Sequence, residues 1–492
     1  MGLIVKAHPP SIAVIGAGSI SHGRRLLDDL LTVAAMDGCT ISLMAPKAAH
    51  LAIIDRYARR AVSRNRLATR IVTTTDRAQA LEGADYVVAL FDVGGFAAFD
   101  VDYRIAQSYG LDVCIGDSSG PTGVMKALRN GTLLKGLADD MRRYCPDAYF
   151  VSYANPMGVL VMAAHAFGIS RVVGLCGGAE ATRNTVAACL GVRPADLRID
   201  FGGINHMCWA LSIERDGKDL YPQFRERLKR PEYLTSERVR FEMMQQFGYF
   251  TTETSGHLSD FFPWFRRDDA TRRRYCSVDG YSGATGAFHK FSAFLDRHLG
   301  CDDYLQYDDG ALAVRSDDYC ASLIEAIETG RPYSFIGNVM NLSPAIDNLP
   351  ASACVEVPMI ADASGLRPVR VGALPPQLAA LCNSSITSQQ LTLQAIISGD
   401  PELAFAAIAL DPLTSAVLDL PQTRRLTAEL LAANKPFLLS AQTRGLRATL
   451  EVQETYPVKP AIRHHESLTD TVRTYERMRR LNRQRSGEPN RD

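Results

Sequence analysis

The sequence lacks most of the features that would set it apart from ordinary soluble proteins. It has no net charge, with Lys plus Arg equal to Asp plus Glu at 54 each. That balance offers no global attraction to nucleic acid or to an anionic membrane, and neither is expected as a partner. Its eleven cysteines include no CxxC pair. An odd number spread over a long chain argues against a disulfide scaffold and for a reducing cytoplasm. There is no apolar run long enough for a bilayer: the longest, around residues 156–168, is too short and contains His165. The opening residues, MGLIVKAHPPSIAVIGAG, show no charged region followed by an apolar stretch and a small-residue cleavage site, so no signal peptide is expected. Lys6 stands where a myristoylation motif would need Ser or Thr.

What is present is an ordinary globular composition, 46% hydrophobic and 22% charged over 492 residues, long enough for two or three substructures. SIAVI at 11–15 is a short β-branched run. It ends in Gly16-Ala17-Gly18-Ser19, and the helical pattern RRLLDDLLTVAAM follows. Strand, glycine turn and helix open a dinucleotide-binding unit, because glycine lets the backbone approach a pyrophosphate and the helix N-terminus supplies free N–H groups. The motif is GxG without the full GxGxxG, since Ser21 holds the sixth position. A tight turn in an α/β protein that binds something else therefore stays open. TISLM, RIVTT, DYVVAL, AYFVSY and RVVGL continue as strands alternating with helices. The pattern predicts an α/β fold: a Rossmann-like, doubly wound, mostly parallel sheet. Asn155 and Cys176 fall at carboxyl ends of those strands, where such sheets bind ligands.

From about residue 200 short strands mix with polar helices, and ACVEVPMIADASGLRPVRVG reads as a β segment among long helices. Three parts are expected: a dinucleotide-binding domain over 1–200, an α+β substrate- and metal-binding domain over 201–440, and a helical extension with a disordered end over 441–492.

Two clusters carry ionisable chemistry. Cys176 and His206, the latter in GGINHMCWAL just after an apparent glycine turn, can make a small open metal site. From spacing alone, a buried cysteine is more often a small apolar core residue. In FGYFTTETSGHLSDFFPWFRR, Glu253, His257 and Asp260 lie close together among aromatics, with His257 and Asp260 at helical spacing. They suit general acid–base work; cap residues at a helix end are the competing reading.

Taken together, VIGAGS, GDSSGPTGVMKALR, YANPMGVL, VGLC, GGINHMCW, FGYFTTETSGHLSDFFPWF, GNVMN, IDNLP, CVEVP and VGALPPQLAAL resemble glycoside hydrolase family 4, and most of all its α-galactosidase branch. The resemblance runs over about residues 11–430. It implies the fold of lactate and malate dehydrogenases and an unusual glycosidase chemistry. NAD+ takes hydride from the sugar C3, a base removes the C2 proton, and a manganese ion stabilises the enediolate. The C1–O bond then breaks by elimination, water adds, and the hydride returns. By position, the resemblance assigns the pyrophosphate to Gly16, Ala17, Gly18 and Ser19, and the Mn2+ to Cys176 and His206. It places Asn155 and Asn205 on the sugar and puts the base at His257 with Asp260 one turn on. It further implies a small-molecule glycoside as substrate and a homodimer or homotetramer; the cysteine pattern adds the expectation of a cytoplasmic location.

Two positions depart from the family. An acidic residue usually ends the second strand and binds the ribose hydroxyls; here Ala45, Pro46 and Lys47 stand there. Lys47 would admit NADP+ beside NAD+. In the α-galactosidase branch histidine follows the metal cysteine, and here Gly177 does. The leaving-group proton is then expected from Glu180 or a bound water. The rivals are an NAD-dependent sugar oxidoreductase that stops at the 3-keto sugar and an inert sugar- or nucleotide-binding relative.

Overall fold

A computed structural model describes residues 9–18, 20–299 and 310–438. Ser19 and the expected extension over 441–492 lie outside the described residues. The strands in chain order are β1 (Ser11–Ile15), β2 (Thr40–Met44), β3 (Arg70–Thr74), β4 (Tyr86–Ala89), β5 (Tyr149–Ser152), β6 (Val172–Gly174) and β7 (Arg198–Ile204). They continue with β8 (Met207–Arg215), β9 (Lys218–Asp219), β10 (Phe250–Thr251), β11 (Tyr333–Met340), β12 (Cys354–Asp362) and β13 (Gly365–Pro368).

All belong to one 13-stranded sheet. The first six strands are parallel, in the order β3-β2-β1-β4-β5-β6. That is the dinucleotide-binding order, with the strand sequence reversing between β1 and β4. Side chains alternate between two cores. Ile12 and Val14 join Tyr86 and Val88 on one face, while Ala13 and Ile15 join Val87 and Ala89 on the other. Strands buried on both faces read as continuous apolar runs, and SIAVI and YVVA are such runs because helices cover both sides.

The rest of the sheet is antiparallel and contains two narrow seams, the first of which joins it to the parallel part. β11 meets β6 through one pair, Asn338 opposite Gly174. β12 runs along β11 and meets β7 through one pair, Glu356 opposite Gly203. β7 and β8 form a hairpin whose two-residue loop is Asn205-His206. The pair Gly202-Gly203 is therefore not the turn; it lies in β7. Glycine is needed at 203 because a Cβ there would sit 2.3 Å from the Met207 carbonyl oxygen. Among the described residues, no helix is long and apolar enough to cross a membrane.

Candidate active site at the carboxyl ends of the parallel strands

The glycine turn after β1 is tight. Gly16 has φ 93°, and a Cβ on it would lie 2.6 Å from the Phe91 nitrogen, so only glycine fits. The N–H groups of Gly16 and Ala17 both donate to the Met44 carbonyl, at 2.9 and 3.0 Å, and this draws the turn onto the end of β2. The close packing of a third glycine comes from Gly23, where a Cβ would sit 3.3 Å from the Ala17 oxygen. The helix Ile20–Leu31 thus approaches the turn closely, which suits a pyrophosphate. At the end of β2, Ala45 is buried, whereas Lys47 is exposed and precedes the helix Ala48–Arg64.

A second helix, Gly120–Tyr144, carries buried polar groups toward the same end of the sheet. Its Asn130 accepts the Val93 N–H at 2.9 Å and donates to the Asn155 carbonyl at 2.8 Å. One side chain thereby ties the segment after β4 to the turn after β5. Lys126, one turn earlier, reaches Asp92 at 3.2 Å and Asp117 at 3.7 Å. Asn155 donates from Nδ2 to the other side of this group, to Asp117 Oδ2 at 2.9 Å.

The ends of β6, β7 and β10 bring the remaining groups together. Cys176 lies two residues past β6, and its Sγ is 3.9 Å from His206 Nδ1 in the β7–β8 loop. Glu253, two residues past β10, places Oε1 2.9 Å from His206 Nδ1 and 3.0 Å from Cys176 Sγ. Its Oε2 is 3.5 Å from His257 Nδ1. His257 Nε2 is 3.7 Å from Asp117 Oδ1, and the two imidazole centroids are 4.2 Å apart. Two overlapping groups result, Cys176–His206–Glu253 and Asp117–His206–His257, each with donors spaced closely enough to hold a metal ion. The Nε2 atoms of both histidines are buried and have no hydrogen-bond partner. A thiol, an imidazole and a carboxylate packed this closely fit a divalent cation, which would replace the protons they now share.

The electrostatics follow from burial and sign. Burial pushes the Cys176 thiol well above its usual range, and Glu253 and Glu356 push it further. Burial would lower His206, but Glu253 and Asp117 raise it on balance. For Asp117 burial works upward and is overcome by Lys126, His257 and His206, which hold the carboxyl down to about 2. In the seam, Glu356 is raised to about 8 by burial and by Glu253, even though Asn338 Nδ2 donates to it at 3.1 Å.

The residues expected to carry the acid–base steps are held in different surroundings. His257 belongs to a short helix, Ser255–Ser259, and faces Glu253 and Asp117. Asp260 caps that helix and turns elsewhere. Its carboxylate accepts the backbone N–H groups of Cys114, Ile115 and Gly116 at 2.8, 2.8 and 3.1 Å and meets Arg266 at 3.2 Å. A carboxylate so engaged holds the 114–116 segment. Glu180 is engaged too, with Arg183 at 3.2 Å and the Tyr319 hydroxyl at 3.4 Å, and it shares no hydrogen bond or ion pair with the Cys176 group. Asn205 sits in the loop beside His206. A Cβ at Gly177 would meet nothing within 4 Å, so the glycine leaves open space next to the thiol.

Spacing does not point to Asp117, Lys126 or Glu356 as members of the site; Glu253, which spacing groups with His257 and Asp260 for acid–base work, also meets Cys176 and His206. Asp117 and Lys126 lie in GDSSGPTGVMK, where ionisable residues among glycines and apolar residues were the available signal. Glu356 interrupts the apolar alternation of CVEVPM.

Residues 11–192 match the model described as family 4 glycosyl hydrolase, and residues 201–414 match the family 4 glycosyl hydrolase C-terminal domain. The chain belongs to the family 4 glycosyl hydrolases. It is 33% identical to the alpha-galactosidase of Rhizobium meliloti over 90% of its own length and 93% of the relative's. It is 32% identical to the alpha-galactosidase of Bacillus subtilis over 87% and 98%. In fold it is similar to the 6-phospho-beta glucosidase from Thermotoga maritima, solved with manganese, NAD+ and glucose-6-phosphate. That match has a TM-score of 0.72 and 21% identity and covers 87% of this chain and 99% of the other.

Proposed function

We propose that the chain hydrolyses α-galactosides or closely related α-glycosides, with NAD+ at the Gly16–Gly18 turn and a manganese ion held by Cys176 and His206. The observation that carries this reading is the meeting of Cys176, His206, His257, Asp117 and Asn155 at the strand ends of a dinucleotide-binding sheet. The two alpha-galactosidase relatives support the sugar, and the manganese and NAD+ of the Thermotoga structure support the cofactors. When bound, these groups would supply a hydride acceptor and a Lewis acid for the sugar oxygens.

The residues of the chain do the rest. His257, whose Nε2 makes no hydrogen bond, takes the C2 proton, with Glu253 facing Nδ1 at 3.5 Å and Asp117 3.7 Å from Nε2. Asn155 and Asn205 bind sugar hydroxyls. Asp260 is assigned a positioning role through the 114–116 backbone. Because Arg183 and Tyr319 hold Glu180, the leaving-group proton is assigned to a water in the space beside Gly177.

A panel of nitrophenyl α-glycosides, incubated with NAD+ and Mn2+, tests this function. Nitrophenol should be released from the galactoside with no net accumulation of NADH, because a hydrolase of this kind returns its hydride. NADH accumulating without nitrophenol would replace hydrolysis by sugar oxidation, and no turnover on any sugar would reduce the protein to a binding relative. Methyl and nitrophenyl galactosides should differ modestly in kcat/KM, and Glu180→Gln should leave that ratio unchanged. A steep dependence on the leaving group would remove the water from its role.

A further inference from the structure

We propose that Glu253 is a third protein ligand of the divalent ion, so that the site binds its metal before any sugar arrives. The inference rests on the reading of Cys176 and His206 as a metal pair.

Three observations point to Glu253. The first is separation. Glu253 Oε1 is 3.0 Å from Cys176 Sγ and 2.9 Å from His206 Nδ1, and those two atoms are 3.9 Å apart. Donors that share one ion at about 2.0–2.4 Å stand roughly this far from each other. The second is the space reserved for the carboxylate. A Cβ on Gly178 would lie 2.3 Å from Glu253 Oε1, so the helix Gly178–Leu190 begins with a residue that leaves the carboxylate room beside the thiol. The third is backbone conformation. His206 has φ 65° and Glu253 has φ 72°, both in the left-handed region that residues other than glycine rarely adopt. Such conformations cost of order 1–3 kcal/mol each and persist where the surroundings enforce them. Here the surroundings are explicit. β10 pairs with β8, and Thr252 exchanges hydrogen bonds with Cys208, donating its N–H to the carbonyl at 2.7 Å and accepting the Cys208 N–H on Oγ1 at 3.4 Å. Arg240 donates to the Thr251 carbonyl at 2.9 Å and to Thr182 at 3.0 Å, which ties this strand end to the helix that carries Gly178. Two residues held off the ordinary backbone therefore aim their side chains at the same thiol.

The charge count gives the chemical reason. A divalent ion held by one thiolate and one neutral imidazole keeps a net positive charge in a buried site, which is costly. Asp117 faces Lys126 and His257, each at 3.7 Å, and is not among the donors grouped around the Cys176 thiol. The Glu253 carboxylate brings the ion and its ligands to neutrality and adds to the sulfur and nitrogen a hard oxygen, the donor type that manganese favours.

The test uses the full chain freed of metal and titrated with Mn2+ alone, without sugar. Affinity is read by calorimetry, and the number of inner-sphere waters by water-proton relaxation. Wild type should bind Mn2+. Glu253→Gln should bind at least about tenfold more weakly and carry one more inner-sphere water, because solvent takes the vacated position. Gly178→Ala keeps all three donors but drives a methyl group into the carboxylate, and it too should weaken binding. Glu253→Asp should fall between wild type and Glu253→Gln, which covers the case in which the Gln variant fails to fold. Unchanged affinity in Glu253→Gln, or weaker binding with an unchanged water number, would overturn the proposal and leave Glu253 as a partner that merely orients His206. Failure of the wild type itself to bind Mn2+ would overturn the metal pair and this inference together.

Discussion

The Asp260 carboxylate accepts the backbone N–H of Cys114 at 2.8 Å, and with two further N–H groups and Arg266 it fixes the segment that leads into Asp117. Removing it leaves buried donors and a buried guanidinium without their partner. Asp260→Ala should cost about 3–5 kcal/mol of stability, the usual consequence of breaking a buried pair. Thermal and denaturant melts check this. A variant with unchanged stability and lost turnover would return Asp260 to the catalytic groups.

His257 should behave in the opposite way. It makes no hydrogen bond through Nε2 and sits between two carboxylates. His257→Gln is expected to melt near wild type and to lose ~10²–10⁴-fold in kcat with little change in KM. Exchange of solvent deuterium into C2 of the product should fall in parallel. If exchange continues at the wild-type rate, the base lies elsewhere.

Chelation should abolish activity, and manganese should restore it. Cys176→Ser replaces a soft thiolate by a weak hydroxyl donor and is expected to lose most metal affinity. Oxidation of the thiol should inactivate, and thiol reductants should restore activity as long as oxidation has not passed the sulfenic stage. Full activity in excess chelator would remove the metal from the reaction.

Glu356 gives a pH signature. Its folded pKa of about 8 lies above the ordinary carboxylate value, chiefly through burial and then through Glu253. Between the two values the native state holds a proton that the unfolded state has released. Its contribution to stability is therefore full at acid pH and declines as pH rises toward 8. Glu356→Gln imitates the protonated form and should flatten that decline. Melting temperatures of the two proteins, compared from pH 5 to about 9, should diverge in favour of the variant at the alkaline end. A constant difference would mean that Glu356 titrates normally.

Lys47 bears on the cofactor. The buried Ala45 and the exposed Lys47 offer no carboxylate to the ribose hydroxyls and nothing to repel a 2′-phosphate. Titration by tryptophan fluorescence should find NAD+ and NADP+ within about a hundredfold of each other, and Lys47→Glu should shift the preference toward NAD+. A larger preference for NAD+ in the wild type would show that Lys47 has no such part.

The parallel half of the fold and its ligand-facing residues follow from local sequence. SIAVI before Gly16-Ala17-Gly18, and AYFVSY and RVVGL before Asn155 and Cys176, are βα units. In such units the carboxyl end of each strand is the binding end wherever the sheet is assembled. The single histidine of GGINHMCW became legible through its resemblance to a family rather than through spacing.

Which side chains meet was decided by tertiary structure. Glu253 reaches Cys176 and His206 only because β10 pairs with β8 and Gly178 leaves room, contacts between segments far apart in the chain. Asp117 joins His257 because the helix Gly120–Tyr144 carries Lys126 and Asn130 against the ends of β4 and β5. Helical spacing gave His257 and Asp260 equal claim to the chemistry. In the packed chain the Asp260 carboxylate accepts backbone N–H groups of a segment about 145 residues earlier, whereas His257 faces Glu253 and Asp117. Periodicity and glycine placement are local properties that a chain carries in its order of residues; the partner of a buried charge is whatever the packed fold brings within a few ångströms, and only the fold could choose it.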